Sequence, residues 1–387
     1  MVKNLKDLMI KFADETVCRE YLIKQRWPDG KIICQYCGHD KCYRIENGER
    51  FKCANNKCYK RFRVTVGTIF EASNIPLNKW YPAMYLILSH KKGISSIQLG
   101  KDLGVTQKTA WFMLHRIREQ LKLNDSPMLS GTCEVDEVYI GGKVSNMSKS
   151  KRKALREAGQ TYNTKTMVMG MIQREGDLRF VTMGKAAQAV NLLPVIRENI
   201  DSNSHLITDS LAAYVNLKND FASHEVVKHS ENEYVKNSII HTNSIEGAFS
   251  LLKRSIYGIY HQVTPKHLSR YCDETMYRYN TRKIKDVERF TLTLQNIEGR
   301  LTYKQLVEAE VPAVIPEEFA EIVSISTLNP KYKGRPVHQI SKVTGEIVNT
   351  FQTVKEAGEK TGITWQAISR VLRGKRYSTG NYLWKYA

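Results

Sequence analysis

The stretch Thr132–Gly142, "TCEVDEVYIGG", alternates residue types along its length and then stops at two glycines. That alternation has the period of a β-strand, and the Gly-Gly pair ends it in a turn. Glu134 and Asp136 share one face of this strand and Glu137 points to the other, so Glu134 and Glu137 are each either a supporting acid or a bystander. Working outward, "TMVMGMIQ" (166–173) and "LRFVTMG" (178–184) read as two more apolar strands, and "AAQAVNLLPVIRENI" (186–200) as an amphipathic helix. Next come a short strand running into polar residues, "SHLITDSLAAY" (204–214), and a further strand, "HEVVKHS" (224–230). The last element of the series is a helix, "HTNSIEGAFSLLKRSIYG" (241–258).

Three strands, a helix, two strands and a helix is the element order of an α/β, RNase H-like core, a mixed sheet flanked by helices. In that fold the first strand, the end of the fourth strand and a late helix bring three acids together. Asp136, Asp209 and Glu246 occupy those places. A pair of divalent ions needs such a carboxylate cluster, and without metal the acids would repel one another and resist ionisation. In the last helix Ile245, Phe249, Leu252 and Ile256 form an apolar stripe, while Glu246, Ser250, Lys253 and Tyr257 follow one position along. Lys253 thus shares a face with Glu246, where a phosphate would rest. Asn243 and Glu246 also have the spacing of a helix capping pair, a purely structural role.

Residues 31–64 contain Cys34-x2-Cys37, fifteen residues, then Cys53-x4-Cys58, among short strand-like runs rich in Tyr, Phe, Arg and Lys. This is a zinc ribbon pattern, in which four thiolates converge on one structural Zn2+. Cys42 or His39 is an alternative for one ligand. "ISSIQLGKDLGVTQKTAWFMLHRIREQL" (94–121) has the form of a helix-turn-helix: Leu99 and Leu103 close one helix, Gly104 turns, and Thr106 caps the next. Gln107, Lys108 and Thr109 then lead a recognition helix whose basic residues His115, Arg116 and Arg118 favour DNA. "LGVTQKTAWFML" (103–114) has a short echo in "TGITWQAISRVL" (361–372), which places Thr364, Gln366 and Arg370 on a second such element. Two strand-like runs, "VHQISKVTGEIVNTF" (337–351), precede it. The basic run "SKSKRKALR" (148–156) reads as a surface loop, touching DNA or merely solvated.

Lys and Arg outnumber Asp and Glu by 59 to 39 in 387 residues, a net charge of +20 that points to a polyanion, above all nucleic acid. No apolar run reaches the length of a membrane span and the amino terminus lacks a signal-peptide core, so a soluble, cytoplasmic protein without a membrane partner is expected. The cysteines group as knuckles rather than a disulfide framework. Cys18, Cys42, Cys133 and Cys272 read as small buried or half-buried residues.

Together, "GTIFEASNIPLNKW" (67–80), "KTAWFMLHRIR" (108–118), "EVDEVYIGGK" (134–143), "TDSLAAY" (208–214), "HTNSIEGAFSLLKR" (241–254), "YHQVTPKHLSRYCDE" (260–274) and "RYNTRK" (278–283) resemble the DDE-type bacterial insertion-sequence transposases with an amino-terminal zinc ribbon, relatives of the Merlin transposases. The resemblance covers about residues 18–308. It implies catalytic acids at Asp136, Asp209 and a third position in the last helix. The family varies between Glu and Asn there, which keeps Asn243 beside Glu246. It also implies Mg2+ or Mn2+ in the active site, Arg254 and His261 along the DNA, and cleavage and strand transfer at terminal inverted repeats and target DNA. A homodimer or higher oligomer would pair the ends. The carboxy-terminal segment resembles the modular DNA-binding domains of homing endonucleases. The expected organisation is a zinc ribbon region (1–70), a helix-turn-helix domain (71–126), the catalytic domain (127–309), a Pro-bearing linker (310–334) and a small DNA-binding module (335–387). The competing readings are a DNA-binding regulator without catalysis and a homing-type endonuclease.

Overall fold

Asn4 and Asp14 each accept a backbone N–H with a side-chain oxygen and so start two helices, α1 (Leu5–Lys11) and α2 (Glu15–Arg26). The computed structural model describes residues 2–122, 126–157, 165–183, 189–227, 240–308, 337–341, 346–352, 354–363, 368, 371–372 and 382–386. Two compact units divide the chain, Met1–Glu317 and Glu318–Ala387. Within the larger unit, α2 is followed by an antiparallel sheet of three short strands in the order β1 (Cys42–Ile45), β2 (Arg50–Cys53), β3 (Arg61–Phe62). Phe51 and Phe62 turn inward, and the Phe51 ring meets Trp27 edge-on at 5.6 Å between centroids.

Three helices come next, α3 (Leu77–Ser89), α4 (Ser96–Leu103) and α5 (Gln107–Gln120). Gly104 ends α4 in the left-handed region at φ 59°, and the Thr106 hydroxyl accepts the Thr109 N–H to cap α5. These are the turn and cap that the sequence implies. The basic residues of α5 are different. His115, Arg116 and Arg118 are buried, not on a surface that could meet DNA. Arg116 donates to the carbonyls of Leu301 and Glu71, and Arg118 pairs with buried Glu274 at 2.6 Å. In an amphipathic helix that packs on both sides, a cation is as easily an internal tie as a surface charge.

The central sheet has five strands in the order β6-β5-β4-β7-β8, with β4 (Thr132–Ile140), β5 (Thr166–Gln173), β6 (Leu178–Met183), β7 (His205–Asp209) and β8 (Ser223–Val227). β4, β5 and β6 pair antiparallel, while β7 and β8 run parallel to β4, so the sheet is mixed. Between β4 and β5 the basic run expected as a loop is a helix, α6 (Lys149–Glu157). Its Lys, Arg, Ala, Leu and Glu are good helix formers, and no Gly or Pro interrupts them. Helix α7 (Ala189–Asn199) joins β6 to β7.

Helix α8 (Asn243–Ser255) lies on the sheet with the predicted stripe inward: Ile245, Phe249, Leu252 and Ile256 are buried with Val138, Val168, Ile172 and Phe180. Gly170 of β5 makes the close approach possible. A Cβ there would stand 2.6 Å from Phe249 and 2.7 Å from Ile245. Helices α9 (Pro265–Asn280), α10 (Asp286–Gln295) and α11 (Tyr303–Val307) follow among the described residues of this unit.

In the smaller unit β9 (Val337–Ser341), β10 (Ile347–Phe351) and β11 (Tyr382–Tyr386) form an antiparallel sheet in the order β10-β9-β11. Val337, Phe351, Ala357, Ile368 and Trp384 form its core, Ala357 coming from a helix over Val354–Thr361. The linker expected at 310–334 lies outside the described residues, as do Thr364, Gln366 and Arg370.

Candidate active site and metal centre

β7 pairs with β4 only from Thr132↔His205 to Val135↔Thr208, so Asp136 and Asp209 come next on the two strands. Adjacent strands lie less than 5 Å apart, which brings the two carboxylates together where the ladder ends. Beyond that point β4 has no β7 partner, and side chains from both of its faces can reach round the strand end. Glu137 does so. Carboxylate oxygens of Asp136, Glu137 and Asp209 all lie within 4.8 Å of one another. The alternation of β4 is unbroken against β5, with Asp136 opposite Gly170 and Glu137 opposite Met169, so Glu137 joins the group through the reach of its side chain, as one of the two readings open to it allowed.

The electrostatics of the cluster are those of partly buried acids crowded together. Burial, with the charges of Glu137, Asp209 and Glu246, pushes Asp136 up from 3.8 to about 7, against the lowering effect of its bond from the Glu137 N–H. Glu137 is also raised, chiefly by burial, although the Tyr214 hydroxyl donates to it at 2.8 Å and lowers it. Asp209 accepts the Leu211 N–H at 3.1 Å, which fixes the turn that leaves β7. Hard oxygen donors grouped this closely suit a divalent cation such as Mg2+.

Glu246 is exposed in the first turn of α8, near enough for its charge to raise Asp136, but it is not one of the three acids within 4.8 Å. Asn243 is the first residue of the helix and is exposed, as are Lys253 and Arg254 farther along. The capping pair expected of Asn243 and Glu246 does not form: Thr242 is the N-cap residue and gives no side-chain cap bond. The acceptor comes from another element. Glu134 of β4, fully buried, takes the N–H groups of Ser244 at 2.9 Å and Ile245 at 3.1 Å. Its only signal in the sequence was the face it shares with Asp136.

Cys34, Cys37, Cys53 and Cys58 form the second group, their sulfurs also within 4.8 Å of one another. Four thiols converging from two knuckles fit a tetrahedral zinc ion. Neither Cys42 nor His39 belongs to the group. Of the residues expected to meet DNA, Gln107 and Lys108 are exposed at the start of α5, while Thr109 is half-buried at the cap. His261 is exposed at φ 58° after α8, and Arg116 is buried.

Comparison with known proteins follows this division. Residues 13–61 match the transposase zinc-ribbon domain, and residues 128–280 match the ISXO2-like transposase domain. The chain is similar in these two regions to insertion-sequence transposases that carry a zinc ribbon. It is 28% identical over 254 residues to an uncharacterized protein in transposable element ISH50 of Halobacterium salinarum, covering 63% of this chain and 83% of that one. A 40-residue stretch is 45% identical to an uncharacterized HNH endonuclease of Acanthamoeba polyphaga mimivirus, 10% of this chain and 12% of the relative. The transposase domain match spans Asp136, Glu137, Asp209 and Glu246, and the ribbon match ends after Cys58. Among the described residues no helix is long and apolar enough to cross a membrane.

Proposed function

We propose that this chain is a DNA transposase that cuts phosphodiester bonds at the ends of a mobile element and joins them to target DNA. The observation that carries the reading is the meeting of Asp136 and Asp209 on neighbouring parallel strands, within a region that matches a transposase domain. The strand order, three antiparallel strands with two parallel strands added at the first, supports an RNase H-like core. Divalent metal, Mg2+ or Mn2+, supplies when bound the activation of water or of a DNA 3′-hydroxyl and the neutralisation of charge at phosphorus.

Asp136 and Asp209 hold the metal, with Glu246 as third ligand, Asn243 as its alternative and Glu137 supporting them. In each displacement the attacking oxygen forms a bond to phosphorus as the leaving oxygen departs on the far side. Lys253 and Arg254, exposed on α8, set the phosphate of the DNA strand, and His261 lies along the same path. Gln107 and Lys108 at the start of α5 and the zinc ribbon bind the terminal inverted repeats. Two ends have to be paired, so the working form is at least a dimer.

The test is a cleavage and strand-transfer assay on DNA carrying the element's own ends. Asp136→Ala is expected to retain end binding and lose cleavage with either Mg2+ or Mn2+. Full cleavage by that variant would overturn the assignment. Binding without any cleavage by the unaltered chain would make it a regulator, and cleavage without joining a nuclease.

A further inference from the structure

Glu134 stands two residues before Asp136 on the same face of β4, and its side chain is inaccessible to solvent. Four hydrogen bonds converge on it. Oε2 accepts the N–H groups of Ser244 (2.9 Å) and Ile245 (3.1 Å), and Oε1 accepts the Ser244 hydroxyl (3.0 Å) and Arg174 Nε (2.8 Å). These donors match the acceptor capacity of a carboxylate. Arg174 also donates to the His241 carbonyl at 3.0 Å, so the chain entering α8 is held from the same point.

A helix N-terminus needs acceptors, but a serine or aspartate at the N-cap meets that need locally and remains in water. Taking a carboxylate out of water costs several kcal/mol before its partners compensate. Here the acceptor is 110 positions away in sequence, on the strand that carries Asp136. The tie begins two residues before Asp136 and ends one and two residues before Glu246. It therefore fixes the distance between the two acids. We propose that Glu134 is a positioning residue that sets where α8 presents its metal-binding side chain relative to Asp136. This inference rests on the transposase reading of that site.

Full-length Glu134→Ala and Glu134→Gln separate this role from a merely structural one. The measurements are amide hydrogen exchange at Ser244 and Ile245, Mn2+ affinity, and kcat and KM for end cleavage. Both variants are expected to exchange faster at these amides, Gln less so because it keeps one carbonyl acceptor. Glu134→Ala should bind Mn2+ about 10- to 100-fold more weakly, as when a group that orients metal ligands is lost. Its kcat should fall while KM for DNA stays within about twofold, with Gln between Ala and the unaltered chain. Unchanged Mn2+ affinity and kcat in folded Glu134→Ala or, should that variant not fold, in Glu134→Gln would overturn the proposal. So would a loss of stability and DNA affinity with kcat and Mn2+ affinity intact. If the unaltered chain cleaves no DNA, the transposase reading fails, while exchange and Mn2+ affinity still judge the tie.

Discussion

Asp136 shows what a single residue has to give up for the site to exist. Its carboxyl is raised from 3.8 to about 7 by burial first and then by neighbouring acids, so the folded protein holds its proton more tightly than the unfolded chain. The stability from that proton is fully present below about 3.8 and is lost as pH rises through about 7. Asparagine cannot ionise and avoids this loss. In Mg2+-free buffer with zinc left in the ribbon, Asp136→Asn should therefore melt several degrees above the unaltered protein at pH 8. The gap should narrow steadily towards pH 5. Equal melting curves at pH 8 would mean that the acids do not burden one another. Asp136 and Asp209 could be picked out because one lies in the middle of an alternating strand pattern and the other ends a short apolar one. Glu137 was legible only as one of two possibilities, because strand alternation gives the face a residue leaves from and not how far its side chain reaches past the end of β7.

At the scale of elements, patterns carried within one segment read well and ties between segments did not. The apolar stripe of α8, the Gly104 turn and the Thr106 cap are all local, and the structure has each of them. Glu134 capping α8 and Arg118 meeting Glu274 join residues far apart in sequence, and no spacing rule reveals them. The zinc ribbon combines both kinds of information, since its knuckles are local and their convergence is not. Its strands have four, four and two residues, too few to hold a sheet without help. Removing zinc with a chelator, or changing Cys37 to Ser, should speed amide exchange throughout 31–62 while β4 and β5 stay protected. Protection of β1 and β2 after complete zinc loss would show that Trp27, Phe51 and Phe62 suffice to hold the ribbon.

For the whole molecule the leading quantity is charge, and it is shared between the two units. Residues 318–387 carry eleven Lys and Arg against five Glu, a clear part of the +20 excess. This unit has its own buried core of Val337, Phe351, Ala357, Ile368 and Trp384, so it does not need its basic residues for folding. If those charges meet DNA phosphates, each contact releases counterions, and affinity falls with salt by about 0.9 of a logarithmic unit per phosphate. The proposed catalytic residues all lie within Met1–Glu317. A chain ending at Glu317 should therefore cleave element ends with kcat within about twofold of the full chain, because what it loses is binding away from the reacting phosphate. Its affinity for DNA should be lower and its dependence on salt shallower by about two to four logarithmic units, one for each phosphate contact removed. Binding titrations from 50 to 200 mM salt measure that slope directly. Identical slopes would mean that the second unit does not touch DNA, and a kcat lost with the slope unchanged would mean that it acts on the catalytic unit instead.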